Sequence, residues 1–312
     1  MRPAHEMFTI HREVTFAERP IMLHAFAGFV DAGGGVRITG DHLLQTLDHE
    51  LIATFDADEL LDYRARRPRM AFVRDHFASV DIPTLALHRI TDLAGRDFLL
   101  LVGPEPDYQW QRFLAAVDLI VDMFDVRLAV GLSAIPWPIP HTRPMGITVH
   151  GSEPELLSGF VPVVGEIEVP GHVGAMLELH LGQRGIPSMG ITAQVPHYLV
   201  QFDYPRAATT LLQGVGQVAG LLLPSAGLES LAAQAEREVA QQLEGNDEFA
   251  TVVSALEQQY DHLAAVNEGA SSELPMADSS LADSMASGED IAAQVEQFLA
   301  SLGDDGTKDD VA

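Results

Sequence analysis

The sequence predicts an α/β layered domain on a largely parallel or mixed sheet, followed by a C-terminal α-hairpin. Three observations carry this. Short, nearly continuous apolar runs such as 128–135 read as strands covered on both faces. Segments with 3.6-residue apolar periodicity alternate with them, which defines a layered α/β architecture. From Leu228 to Val266 the pattern becomes purely helical.

In chain order, strands are expected at 21–28, 51–56, 70–76, 84–91, 97–103, 128–135, 146–150 and 187–195. Helices are expected at 36–49, 107–124, 173–183 and 205–222. In the second helix Trp110, Phe113, Leu114, Val117, Ile120, Val121 and Phe124 form the apolar stripe, and Asp107 stands where a capping carboxylate is expected. Beyond residue 225, Leu228, Leu231, Ala235 and Val239 share one face; Phe249, Val252, Val253, Leu256, Tyr260 and Leu263 share another. Gly245-Asn246-Asp247 is a turn signal between them. The chain therefore divides into an α/β domain (1–225), a hairpin (226–267) and a tail (268–312). The hairpin is expected to pack on the α/β domain or on a neighbouring subunit. The tail, rich in Ser, Ala and acids, is expected to be mostly disordered. Within it Ile291, Val295, Phe298, Leu299 and Leu302 fit a short amphipathic helix over 289–302 that packs back on the hairpin or binds a partner.

Composition narrows function. In 312 residues, 45 acids against 18 bases give a net charge of −27. Such a charge repels phosphate backbones and anionic lipid, so neither nucleic acid nor membrane is an expected partner. Residues 238–312 carry 17 of the acids and one base. With no cysteine, disulfides, thiolate metal sites and cysteine nucleophiles are excluded. Lys308 is the sole lysine, which removes P-loop and Schiff-base chemistry. No secretory signal is visible after Met1, and the longest apolar stretch (128–139) is too short to span a bilayer, so a cytoplasmic protein is expected.

Five segments could carry chemistry. The turn Gly28-Phe29-Val30-Asp31-Ala32-Gly33-Gly34-Gly35 opens a helix and offers either close packing or an anion site. Asp56, Asp58, Glu59 and Asp62 precede Arg64, Arg66 and Arg67, which pair with these acids or hold an anionic partner. Glu105 and Asp107 follow a strand and offer an acid/base pair, with helix capping as the stronger reading for Asp107. His141 and Arg143 lie in a proline-stiffened loop, and His197 and Tyr198 end another strand. No nucleophile elbow, H-E-x-x-H motif or metal site is present, and no cofactor is expected.

Taken in order, Gly28–Gly33, Asp62-Tyr63-Arg64-Ala65-Arg66-Arg67-Pro68, Gly103-Pro104-Glu105-Pro106-Asp107, Pro140-His141-Thr142-Arg143-Pro144 and Val195-Pro196-His197-Tyr198 resemble bacterial members of the proteasome assembly chaperone family, second-subunit type, over roughly residues 5–225. The resemblance implies a three-layer α/β/α sandwich similar to nucleoside phosphorylases. It also implies a non-enzymatic binding protein that self-associates, as a trimer, with a proteasome-related or other protein partner. Some family members carry an ATP-grasp label, which the lack of lysine in residues 1–237 argues against. Docking chaperones of the proteasome can end in a hydrophobic residue, a tyrosine and one further residue; Asp310-Val311-Ala312 does not match that ending. The competing expectation is an enzyme or small-molecule binder. There Asp31, Glu105, His141, Arg143 and His197 converge in a strand-end crevice on an anionic or nucleoside-type ligand, with His141 as acid/base.

Overall fold

The computed structural model describes residues 2–160, 166–243 and 247–269. The predicted turn at 245–246 and the tail helix at 289–302 lie outside them. Among the described residues there are ten strands: β1 (Phe8–Ile10), β2 (Ile21–Ala27), β3 (His49–Phe55), β4 (Arg69–Val73), β5 (His76–Asp81), β6 (Ala86–Thr91), β7 (Asp97–Pro104), β8 (Leu128–Trp137), β9 (Ile147–Gly151) and β10 (Ser188–Pro196). The same residues form seven α-helices: α1 (Gly35–Thr46), α2 (Ala57–Leu60), α3 (Trp110–Phe124), α4 (Val173–Gln183), α5 (Pro205–Ala219), α6 (Ala226–Leu243) and α7 (Asp247–Gly269).

Eight strands form one mixed sheet in the order β1-β3-β6-β7-β2-β8-β10-β9. The four central strands, β7, β2, β8 and β10, are parallel, and the flanks are antiparallel. Successive residues of β2 show why the apolar runs lack alternation. Leu23 and Ala25 meet Val36 and Leu43 of α1 and Leu211 and Val215 of α5. Met22 and Phe26 meet Phe113 and Val117 of α3 and Val173 and Leu177 of α4. Both faces are covered, so both must be apolar. Since β2 leads into α1 on one face and β7 into α3 on the other, their carboxyl ends open a crevice at the point where the chain reverses direction through the sheet.

Tight loops hold that crevice. Gly33 and Gly34 adopt left-handed φ values of 65° and 61°, a region that strains residues bearing a Cβ. Gly33 N–H donates to the Val200 carbonyl (2.9 Å) and its carbonyl accepts from Tyr204 N–H (2.8 Å), tying the β2–α1 turn to the approach to α5.

Three expectations require correction. The strand expected at 70–76 is two strands, β4 and β5, folded at Arg74-Asp75 into a ribbon outside the main sheet. Arg74 takes the turn at φ 57° without a glycine to mark it. The helix expected from 107 begins at Trp110, because Gln109 sits at φ 58°. The helix expected to reach residue 49 stops at Thr46, and His49 already belongs to β3.

Phe113 is fully buried, with its ring 5.1 Å from that of Phe55 and 5.7 Å from that of Phe26. Phe113→Ala is expected to lower unfolding free energy by about 3–5 kcal/mol in urea titrations without changing the slope.

Candidate functional site at the strand ends

Glu105, just beyond β7, is buried. Its carboxylate accepts from Phe29 N–H (3.1 Å) in the β2 loop and from Val173 N–H (2.9 Å) at the start of α4. Its own N–H donates to the Ala27 carbonyl (2.9 Å). A Cβ on Gly28 would lie 2.4 Å from this carboxylate, so glycine there makes room for the anion. The charge sits at a helix N-terminus, where the exposed amides favour it. Glu105 is thereby a staple between three segments.

Asp107 neither caps α3 nor forms an acid/base pair with Glu105. The residue flanking the helix is Gln109, with no side-chain capping bond, and both Asp107 carboxylate oxygens are engaged elsewhere. It instead takes Nη2 of Arg66 at 2.8 Å and the Asp62 N–H at 2.8 Å, while Nη1 of Arg66 donates to the Glu105 carbonyl at 2.8 Å. The expected pairing of Arg64, Arg66 and Arg67 with the preceding acids also fails. Asp56 caps α2, Asp58 accepts from the Tyr63 hydroxyl (2.7 Å), and Glu59 binds Arg2 and Arg112. Asp62 accepts from the Arg64 backbone N–H at 2.8 Å, not from its guanidinium. Arg66 and Arg67, with Arg37, Arg69, Asp41 and Asp81, line a cleft of about 470 Å³ whose floor includes Ala25, Ala27 and Val102. Arg66 and Arg37 are held by Asp107 and Asp203; among the described residues Arg67 and Arg69 form no ion pair.

Asp31 stands ahead of the turn that opens α1, whose flanking residue is Gly34, and its Oδ1 accepts from the first-turn amides of Val36 (2.7 Å) and Arg37 (3.3 Å). Burial pushes its carboxyl up to about 6, against the lowering effect of those two amides and of the Arg37 charge.

His141, Arg143, His197 and Tyr198 do gather. The Tyr198 hydroxyl accepts from the His141 backbone N–H (2.7 Å) and shares a hydrogen bond with His141 Nδ1 (2.9 Å). Both histidine rings stand edge-on to the Tyr198 ring, at 5.9 Å for His141 and 5.2 Å for His197, and so does Phe249 of α7 at 5.0 Å. Burial lowers the pKa of each histidine; Glu236 and Glu257 oppose this at His141, and the Trp137 carbonyl at His197. Arg143 grips Asp261 of α7 with two hydrogen bonds of 2.7 Å and reaches Glu257 at 3.3 Å. Thr142 also binds Glu257, and the Tyr260 hydroxyl donates to the Pro144 carbonyl at 3.2 Å. The hydrogen bond and the two carboxylates raise the Arg143 pKa further above its ordinary value. This loop is a seat for α7. Arg206 of α5 holds α6 in a similar way through Glu236 (2.7 and 3.1 Å) and Glu229 (2.8 Å).

The ten sequence-derived candidates thus fall into three neighbourhoods, centred on Glu105, Asp31 and Tyr198, and among the described residues no hydrogen bond between candidate side chains joins one to another. His24 was not among them. It is fully buried on β2, its pKa is lowered to about 3 chiefly by burial, and its ring comes within 2.5 Å of where a Cβ on Gly131 would stand. Within an otherwise apolar strand, only the glycine opposite hinted at a ring needing space. Among the described residues no group of three or more His, Asp or Glu could hold a metal, and no helix is long and apolar enough to cross a membrane.

These features define a mixed α/β/α protein whose strand-end loops are engaged in joining its own segments. The chain belongs to the PAC2 family, whose model matches residues 25–243. The match therefore extends through α6, beyond the limit of residue 225 read from the motifs. A Mycobacterium tuberculosis protein of unknown function, Rv2714, is 43% identical with a TM-score of 0.81, covering 84% of this chain and 91% of that one. A protein of unknown function from Corynebacterium glutamicum is 39% identical, with a TM-score of 0.77 and coverage of 82% and 97%. The M. tuberculosis proteasome-assembly chaperone homologue Rv2125 is 26% identical, with a TM-score of 0.68 and coverage of 75% and 99%. No curated protein matches the chain.

Two outcomes follow from this geometry. The folded pKa of Asp31, about 6, lies above its ordinary 3.8, so folding penalises the ionised form. The group's stabilising contribution is complete below about pH 4, declines as pH rises, and is lost above about pH 6. Asp31→Asn keeps the capping oxygen without the charge. It is expected to be more stable than the parent by roughly 1–3 kcal/mol at about pH 7.5 and to converge with it near pH 4, read by thermal unfolding at both values. Arg143→Ala is expected to loosen α7: limited proteolysis after α6 should accelerate several-fold while the α/β core stays protected.

Proposed function

We propose that this chain is a non-enzymatic, self-associating protein-binding protein of the proteasome-assembly-chaperone type, working in the cytoplasm as a homo-oligomer, a trimer by family resemblance. The observation that carries the reading is the saturation of the candidate chemical groups from within. Glu105 is occupied by two backbone amides, Asp107 by Arg66, and Arg143 by Asp261 and Glu257. A reaction centre needs an acid, base or cation turned toward a ligand; these are turned toward the chain itself. What faces outward is suited to protein contact: exposed Phe29, Tyr108 and Phe202 on the strand-end loops, and a ribbon with exposed Met70, Phe72, Phe77 and Val80. PAC2 membership and the 26% identity to a proteasome-assembly chaperone homologue support a proteasome-related partner.

Light scattering coupled to size exclusion, with a pull-down from native lysate on the full chain and on a 1–267 truncation, tests this. A stable oligomer that retains proteasome subunits is the expected result. A monomer at all concentrations, or an oligomer that retains no protein, overturns it.

The cleft of about 470 Å³ favours one second reading, a binder of small carboxylates, phosphate or nucleosides held by Arg67 and Arg69. Thermal-shift titration decides it. A concentration-dependent rise that Arg67→Ala abolishes moves the function to small-molecule binding; flat curves remove that reading.

A further inference from the structure

Three histidines meet between the sheet and the first turn of α4. His24 of β2, His150 of β9 and His172 ahead of α4 lie close enough for their charges to interact. The sheet makes room for two of them with glycine. His24, Gly131, Gly190 and His150 stand in one register across β2, β8, β10 and β9. A Cβ on Gly131 would run into the His24 ring, and one on Gly190 into the His150 ring. His24 is fully buried, and among the described residues its Nε2 has no hydrogen-bond partner.

His172 caps the helix above them. Its Nδ1 accepts from the Ala175 N–H at 3.3 Å. A ring nitrogen that accepts from an amide carries no proton, so this cap exists only while the imidazole is neutral. Protonation turns the acceptor into a donor facing another donor, and it adds positive charge at the positive end of the helix. Serine or asparagine in this position caps at any pH. Histidine makes the cap conditional on pH.

The surroundings decide which form wins. Facing His172 are Glu105 at the end of β7, Glu178 of α4 and His150 of β9. His24 lies beneath Gly174, its Cε1 3.8 Å from where a Cβ there would stand. The two carboxylates favour a charged ring, but both are already engaged. Glu105 accepts from the amides of Phe29 and Val173, and Glu178 pairs with His150 Nδ1 at 2.9 Å. Burial is the largest influence on His172 and holds its pKa below the ordinary 6.5; His24, under the same influence and beside His172 and His150, is lowered to about 3.

We propose that the first turn of α4 is an acid-released latch, closed over His24 while His172 is neutral and opened when His172 is protonated. Opening frees the Ala175 amide, takes the Val173 amide from Glu105, and lets water reach His24. The Phe29 arm of the Glu105 staple stays in place, so the sheet and α3 keep their packing while the strand-end crevice loosens on the α4 side. The closed form resists protonation of His172, and the open form, solvated, does not. The latch is therefore tight above about pH 6.5 and weakens as pH falls below it. With an ordinary value in the open form, His172 alone raises the opening constant roughly ten-fold between about pH 7.5 and pH 5.5, and His24, once wetted, adds a further factor.

Hydrogen exchange of the full chain at these two pH values, corrected for the intrinsic pH dependence of exchange, tests the latch. In the parent, protection across residues 173–178 is expected to fall at least ten-fold at the lower pH, while β8 and α3 hold theirs. His172→Asn supplies a cap that does not titrate. It is expected to match the parent at the higher pH and to keep about ten-fold more protection than the parent at the lower one. His172→Ser repeats the comparison with a second such cap, so failure of one variant to fold leaves the test intact. His172→Ala, which has no cap, is expected to be unprotected at both values. Three results would overturn the latch: equal protection of α4 in the parent at both pH values, an equal loss in β8 and α3, or cap variants that lose as much as the parent. Tighter protection of α4 at the lower pH overturns it as well, because protonated His172 would then be held by Glu105 instead of leaving.

Discussion

The buried carboxylate of Glu105 is the joint on which the strand-end architecture depends. Placing an anion inside a protein is costly unless hydrogen bonds replace the lost water. Here two amides do so, from Phe29 in the β2 loop and Val173 at the head of α4, and the helix end adds a favourable field. Those amides belong to elements that leave the sheet on different paths, so the bond pair fixes how they approach one another. The cost of leaving either amide unsatisfied makes the joint strict. Gly28 follows from it, because a side chain there would collide with the carboxylate, and so does the placement of Arg66, which binds the Glu105 carbonyl and the Asp107 carboxylate together.

A crevice beyond the ends of parallel strands is the usual place for a ligand in α/β proteins, and this chain fills much of it with itself. Arg143 and Tyr198, which read from the sequence as tools for an anion or a proton, receive α7 instead. The two functions compete for the same atoms. A guanidinium with two carboxylate bonds of 2.7 Å to Asp261 has little left for a substrate. The family motifs in this loop pair are therefore explained by docking a helix, and the hairpin by the loops that seat it.

The layered fold was legible because burial on both faces writes itself as apolar runs, and helices between them as stripes. Phe113, Val117 and Ile120 sit where the periodicity puts them. The ribbon was not legible. Met70 to Val73 reads as an apolar strand, and Arg74-Asp75, without glycine or asparagine, is a weak signal for the turn that folds it into a ribbon outside the sheet. Site residues were legible as a set of positions but not as contacts. Asp107 sits near a helix start and looks like a cap; only the left-handed turn at Gln109 and the nearness of Arg66 in space give it another role. The acids at 56–62 and the arginines at 64–67 are neighbours in sequence. They divide their partners among Arg2, Arg112 and Asp107, which no local pattern records.

Charge pairing explains why function in this molecule points to its surface. A strongly acidic chain has more carboxylates than cations to offer them, so most of its arginines find a carboxylate within reach. Most arginines here are consumed in holding elements together: Arg206 fixes α6, Arg143 fixes α7, and Arg184 joins α4 to α3 through Asp118 and Asp122. Among the described residues, four of the six arginines left over, Arg64, Arg67, Arg69 and Arg74, lie in or beside the ribbon, whose apolar side chains have no cover from the rest of those residues. Each feature alone is ordinary, since single exposed apolar residues and single unpaired arginines are common. Their coincidence on a two-stranded element with little stability of its own is what separates a recognition surface from idle exterior. The interior, by contrast, is spent on joining segments to one another.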